Sequence, residues 1–155
     1  AIKISEVIII DFITQVLDEI KSLLKPGQQI VMQQDDLIEK SIFTDKGILK
    51  NILLNLVSNA IKYSPSDGAI QIRMASNHHN LEVSITDNGI GIPLEEQAYL
   101  FTRFFRAHNA ENIQGTGLGL NIVKRYIEIL KGTIRFESQE NLGSTFSISL
   151  PSLEE

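Results

Sequence analysis

Residues 51–64 read NILLNLVSNAIKYS, and the order of apolar and polar positions in them decides how the rest of the chain can fold. At about 100° per residue, Leu49, Ile52, Leu53, Leu56, Val57, Ala60 and Ile61 fill one broad arc of a helix, the signature of a core-facing side. Asn51, Asn55, Asn59 and Lys62 line up on an adjacent arc, with Tyr63 at its margin. Asn costs a helix interior a few tenths of a kcal/mol against Ala, so a row of three suggests a polar site. An Asn carbonyl suits Mg²⁺, a hard cation that keeps several waters and binds through a ligand's phosphates. Lys62 offers a point charge to a phosphate. A helix with a plain solvated polar face is the alternative, and spacing alone leaves it open.

Thr44 or Asp45 can cap this helix at its start, and Ser64-Pro65-Ser66-Asp67-Gly68 is a strong turn signal at its end. Upstream, Ile9, Phe12, Ile13, Val16, Leu17, Ile20, Leu23 and Leu24 have helical spacing, which predicts a helix over 6–24 stopped by Lys25-Pro26-Gly27. Two short apolar stretches, Ile30 to Met32 and Leu37 to Phe43, read as strands. Downstream, 69–76 and 80–87 read as two strands joined by Asn77-His78-His79-Asn80. Residues 88–117 are rich in glycine and polar groups. A third helix is expected over 118–131, ending at Gly132, and two last strands over 133–138 and 144–150 flank Asn141-Leu142-Gly143. The expected fold class is α+β: a two-layer sandwich in which about three helices cover one face of a mixed, mostly antiparallel sheet.

Bulk properties agree with one domain. The chain has 155 residues, 43% hydrophobic and 21% charged, ordinary for a globular protein. No apolar run approaches the roughly 18 residues of a membrane span, and no signal peptide is visible. The absence of cysteine excludes disulfides and thiolate metal sites. A formal net charge of -5 argues against a nucleic-acid surface.

Two glycine segments carry further chemistry. Residues 86–92 read TDNGIGI, in which an Asp follows an apolar strand and Gly89 and Gly91 let the backbone approach a ligand. Residues 115–120 read GTGLGL, ahead of the third helix, where backbone N–H groups can face phosphate oxygens. The segment lacks the Gly-Lys-Ser/Thr of a P-loop and comes too late in the chain for a dinucleotide fingerprint. Taken alone, it is equally a flexible loop.

Three motifs in order are more specific than any one. Together they resemble the GHKL superfamily of ATP-binding domains (the Bergerat-type fold) and, within it, the sensor histidine kinases, over about residues 5–151. NLVSNAIKYS resembles the asparagine box, DNGIGIP the first glycine box and GTGLGL the second. LFTRFFR, residues 100–106, is similar to the phenylalanine box, and Gly143-Ser144-Thr145 to the closing strand motif. The resemblance implies that Asn59 coordinates Mg²⁺ with Asn55 in support, that Lys62 faces the phosphates and that Tyr63 lies against adenine. It implies that Asp87 accepts a hydrogen bond from the adenine amino group and that Gly89 and Gly91 shape the base pocket. Gly115, Thr116, Gly117, Leu118 and Gly119 then sit against the phosphates, and Thr145 near adenine. Arg106, and less directly Arg103, steady the γ-phosphate or the acceptor side, and 101–117 form a lid.

The family's phosphoacceptor box, a His followed by an acidic residue on a long helix, has no counterpart among these residues; His78, His79 and His108 read as surface residues. The resemblance therefore implies a fragment of a longer protein. ATP-hydrolysing relatives carry Glu where this chain has Asn55, and a neutral amide cannot act as a general base. The implied activity is phosphoryl transfer from Mg-ATP to a histidine on the kinase's dimerisation domain, for relay to an aspartate of a response regulator. The implied setting is cytoplasmic, with anchoring of the parent in the inner membrane left open. No nucleic-acid partner and no direct membrane contact are expected, and the isolated domain is expected to be a monomer of a homodimeric parent. The alternatives are another GHKL ATPase, an anti-sigma-type serine kinase, or a nucleotide-binding scaffold without catalysis.

Overall fold

The structure, a computed structural model, describes residues 1–37, 39–77, 79–102 and 119–153. The segment expected to be helical from residue 6 opens instead with a strand, β1 (Ser5–Ile8). Its β-branched residues favour extended backbone. They alternate, with Val7 1% and Ile8 55% exposed, and Val7 pairs with Ile42 of strand β3 (Ser41–Thr44). Helix α1 (Ile9–Ile20) follows, with Ile9, Ile13, Val16, Leu17 and Ile20 buried along one stripe, and a 3-10 turn, Lys21–Leu23, ends the segment.

Strand β2 (Gln29–Leu37) is longer than its apolar stretch because Gln33 and Gln34 continue the parallel ladder with β4 (Ala69–Asn77). As an edge strand it needs only one partner, so its side chains need not be apolar. Between β3 and β4 runs helix α2 (Lys46–Tyr63), in which all seven residues of the expected apolar arc are buried. Asp45, rather than Thr44, is the cap: its carboxylate accepts the N–H of Ile48 at 3.1 Å and that of Lys3 at 2.8 Å. Partial burial pushes the Asp45 carboxyl up, but the N–H groups of Lys3, Ile48 and Gly47 outweigh it and hold its pKa below the usual 3.8.

The helix ends at Tyr63 because Pro65 disfavours helical backbone at Ser64, whose ψ is 153°. Its last carbonyls would be orphans, but Lys25 donates to those of Lys62 (2.9 Å) and Ser64 (2.7 Å), and Gln28 to that of Ile61 (3.1 Å).

The remaining elements are β5 (Asn80–Asp87), α3 (Gly119–Ile129), β6 (Thr133–Gln139) and β7 (Gly143–Pro151). The main sheet has the order β2-β4-β5-β7-β6, antiparallel except at β2–β4, and β1 and β3 form a separate ribbon. Ile70, Ile72 and Met74 of β4, Leu81, Val83 and Ile85 of β5, and Ile148 and Leu150 of β7 face the helices in one core. Each such side chain contributes about 1.5–3 kcal/mol by burial. The opposite face is polar, with hydroxyl pairs Ser84–Ser147 (2.9 Å) and Thr86–Thr145 (3.0 Å). This is the expected two-layer α/β sandwich, with a mixed sheet covered on one face. Among the described residues, no helix is long and apolar enough to cross a membrane.

Candidate functional site

The polar row of α2 runs along one side of the helix in steps of four. Asn51 donates its side-chain amide to the carbonyl of Gly47 (3.1 Å), and Asn55 to that of Asn51 (2.8 Å). These bonds turn the amide nitrogen of Asn55 back onto its own helix and leave its oxygen for other work. Gly119, the first residue of α3, lies over the row: a Cβ there would stand 3.3 Å from Asn55 Oδ1 and 3.7 Å from Asn59 Nδ2. The positive end of α3 thus meets two side-chain amides across a gap that any side chain at 119 would fill. Among the described residues no three His, Cys, Asp or Glu cluster to hold a metal. A cation at this row would take neutral amide oxygens from the chain and most of its ligands from phosphate and water, which fits Mg²⁺.

One turn beyond Asn59 the row reaches Tyr63, whose carbonyl accepts the N–H of Ile90 at 3.2 Å. That bond ties α2 to the turn after β5, where Asp87 is buried at the end of the strand. Its Oδ1 accepts the N–H of Gly89 at 2.8 Å. Burial pushes the Asp87 carboxyl above its usual 3.8, against the N–H groups of Gly89 and Ser144, which favour the anion. A carboxylate has about four lone-pair sites, so acceptor capacity remains for a ligand. A Cβ on Gly89 would run into the Tyr63 carbonyl and lie 2.9 Å from Asp87 Oδ1, so only glycine lets the turn close. Gly91 has φ +66°, and a Cβ there would meet the carbonyl of Gln139. On the far side, Asn141 donates its N–H to the carbonyl of Ile90 (2.7 Å), and Ser138 Oγ accepts that of Ile92 (2.8 Å). The turn is held between α2 and the β6–β7 hairpin.

The structure therefore brings together Asn55, Asn59, Tyr63, Asp87, Gly89, Gly91 and Gly119 around one edge of the sandwich. Lys62 is exposed beside Tyr63. Arg103, Arg106, Gly115, Thr116, Gly117 and Leu118, with most of the expected lid, lie outside the described residues. His79 is an exposed turn residue whose Nδ1 is 3.3 Å from Glu39; His78 and His108 are also outside.

Thr145 is the strand residue that the resemblance sets near adenine. It is the register partner of Thr86, and the two hydroxyls meet on the polar face of the sheet, away from Asp87. The residue opposite Asp87 is Ser144, buried on the helix-facing side, with its Oγ 2.7 Å from Ser138 Oγ. Strand parity carried that signal: counting back in twos from Leu150, Ile148 and Phe146 arrives at Ser144.

A family model described as histidine kinase-, DNA gyrase B- and HSP90-like ATPase matches residues 44–154. The sensor-like histidine kinase SenX3 of Mycolicibacterium smegmatis is 41% identical over 127 residues, which is 81% of this chain and 33% of SenX3. The chain thus spans about a third of the length of that curated relative, and similar or smaller shares of others. Among solved structures, the mycobacterial sensor histidine kinase MprB superposes with a TM-score of 0.80 at 26% identity over 100% of both chains. The histidine kinase ThkA, solved in complex with the response regulator protein TrrA, superposes at 0.76 with 25% identity, covering 98% of this chain and 42% of that one.

Proposed function

The chain belongs to the histidine kinase-, DNA gyrase B- and HSP90-like ATPase family, and on that basis we propose that it is the catalytic, ATP-binding domain of a sensor histidine kinase. It binds Mg-ATP and transfers the γ-phosphoryl group to a histidine on the kinase's separate dimerisation domain. From there the group passes to an aspartate of a response regulator, the class of partner with which ThkA was solved. The domain works in the cytoplasm, where ATP and the regulator are.

The observation that carries this reading is the buried carboxylate of Asp87, one strand end away from a glycine turn that is bonded to Tyr63. Asp87 accepts the adenine amino group, and Tyr63 covers the base. Asn59, one helical turn along at a rise of about 6 Å, supplies the amide oxygen for Mg²⁺, which when bound neutralises phosphate charge. Asn55, its amide nitrogen already engaged, turns its oxygen to the start of α3 and orients Asn59's surroundings. Lys62 and Arg106 offer cations to the phosphates, and Gly115, Gly117 and Gly119 with Thr116 and Leu118 cradle them. In the transfer, the bond from the γ-phosphorus to the bridging oxygen breaks, a bond to an imidazole nitrogen forms and ADP leaves. Such chemistry asks mainly for positioning and charge stabilisation.

An amide at position 55 takes no proton from water, which favours transfer over hydrolysis. The test is to incubate the chain with γ-labelled ATP and a separately purified dimerisation domain from a sensor kinase with the matching site. Acid-labile, base-stable label on that domain's histidine, dependent on this chain, is the expected result. Label released only as inorganic phosphate would contradict the proposal.

A further inference from the structure

The 3-10 helix Leu94–Tyr99 follows Pro93 directly after the glycine turn. It gains little from burial: Leu94 is 80% exposed and Tyr99 58%. One side chain in it reaches two other parts of the domain. The amide nitrogen of Gln97 donates to two carbonyls at once, that of Ile92 at 3.0 Å and that of Ser138 at 3.0 Å. Ile92 is the last residue of the glycine turn before Pro93, and Ser138 belongs to β6. Ser138 completes the clasp, because its hydroxyl accepts the N–H of Ile92 at 2.8 Å and meets the hydroxyl of Ser144 at 2.7 Å. Ser144 is the register partner of Asp87. A continuous chain of hydrogen bonds therefore runs from Gln97 through Ile92, Ser138 and Ser144 to the strand end that carries Asp87.

We propose that Gln97 is a positioning residue for nucleotide binding: its bifurcated amide holds the glycine turn against β6 and keeps the wall around Asp87 in place. The inference rests on the reading of this pocket as a nucleotide site. Gln97 itself neither reaches the carboxylate nor contributes to the helix-facing core. Its loss leaves two half-buried carbonyls short of a donor and leaves one side of the turn held to β6 by the Ile92 N–H to Ser138 Oγ bond, while the Tyr63–Ile90 and Asn141–Ile90 bonds keep the other side attached. The consequence is a looser pocket rather than an unfolded domain, and so a change in affinity out of proportion to any change in stability.

The discriminating pair is Gln97→Met, which keeps length and removes the donors, and Gln97→Lys, which keeps donors with one more atom of reach. ATP affinity is measured by calorimetry with Mg²⁺, and amide exchange is measured on the nucleotide-free proteins. Gln97→Met should lose roughly five- to tenfold in ATP affinity, the scale of one hydrogen bond. Exchange should accelerate at Gly89 and Ile92 but not at Val83 or Ile148 in the core. Gln97→Lys should recover most of both. Unchanged exchange at Ile92 in Gln97→Met would overturn the clasp whatever ATP does. Normal ATP affinity in Gln97→Met, or a loss that Gln97→Lys does not repair, would overturn the positioning role. Failure of the unaltered chain to bind ATP would instead remove the nucleotide reading, and this inference with it.

Discussion

The carboxylate of Asp87 accepts the backbone N–H of Gly89 at 2.8 Å while sitting in a site that penalises its charge. A raised folded-state pKa means that the folded domain binds this proton more tightly than the unfolded chain. Its contribution to stability is complete below 3.8 and is lost as pH rises through the higher folded value. Asn in its place still accepts from Gly89 but does not titrate. The unfolding free energy of Asp87→Asn relative to the unaltered chain should therefore rise with pH across that window and level off above it. Urea unfolding of both proteins from pH 4 to 7 checks this; a constant difference would mean that burial does not penalise the charge.

Ser144 and Thr145 are adjacent but face opposite sides of the sheet. Ser144→Ala removes the hydroxyl that meets Ser138 beside Asp87 and should weaken ATP binding about five- to tenfold. Thr145→Ala leaves Thr86 without its partner on the polar face and should cost stability, about 0.5–1.5 kcal/mol, with ATP affinity kept. Calorimetric titration and urea unfolding of the two variants separate the effects. If Thr145→Ala loses the affinity and Ser144→Ala does not, the assignment by parity is wrong.

Asn59 is the residue assigned to Mg²⁺. Asn59→Ala should bind ATP with little dependence on Mg²⁺, whereas the unaltered chain should bind more tightly with the ion. Titrations with and without EDTA decide it. A surviving Mg²⁺ dependence in the variant would move the ligand elsewhere.

Much of the fold was legible because its periodicities are clean. The seven apolar residues of α2 predicted its buried face one for one, and the alternation of β5 and β7 placed the sheet. The N-terminal segment misled because Val7 to Ile10 satisfy both periods: extended pairing with β3 takes Val7 and Ile8, and the helical stripe starts only at Ile9. The second half of strand β2 carries no apolar signal, because an edge strand can be polar. At the site, motif order points to Asn59, Asp87 and the glycines, while adjacency to the closing glycine points to Thr145, and only the pleat shows that Ser144 is the residue paired with Asp87. The Gln97 clasp left no pattern, since bonds to main-chain carbonyls 5 and 41 residues away impose none on the sequence.

The 155 residues by themselves should neither acquire stable label from γ-labelled ATP nor release phosphate at a useful rate. His79 is a turn residue across the molecule from Asp87, at the other end of β5, and position 55 is a neutral amide. A phosphate-release assay and acid-labile label counting give the answer, and stable label on the chain alone would count against the separate-acceptor reading.

If the buried carboxylate of Asp87 selects adenine, the affinities for Mg-ATP and Mg-GTP in the unaltered chain and in Asp87→Asn will show it. Adenine presents an amino donor to the carboxylate, whereas guanine presents a carbonyl oxygen, and an unpaired buried acceptor costs about 1–3 kcal/mol. The unaltered chain should thus prefer ATP by roughly tenfold to more than a hundredfold. Asp87→Asn should lose most of its ATP affinity and narrow the gap to GTP. An ATP-to-GTP ratio that is the same in both proteins would rule out selection by Asp87 and leave it with only its bond to the turn.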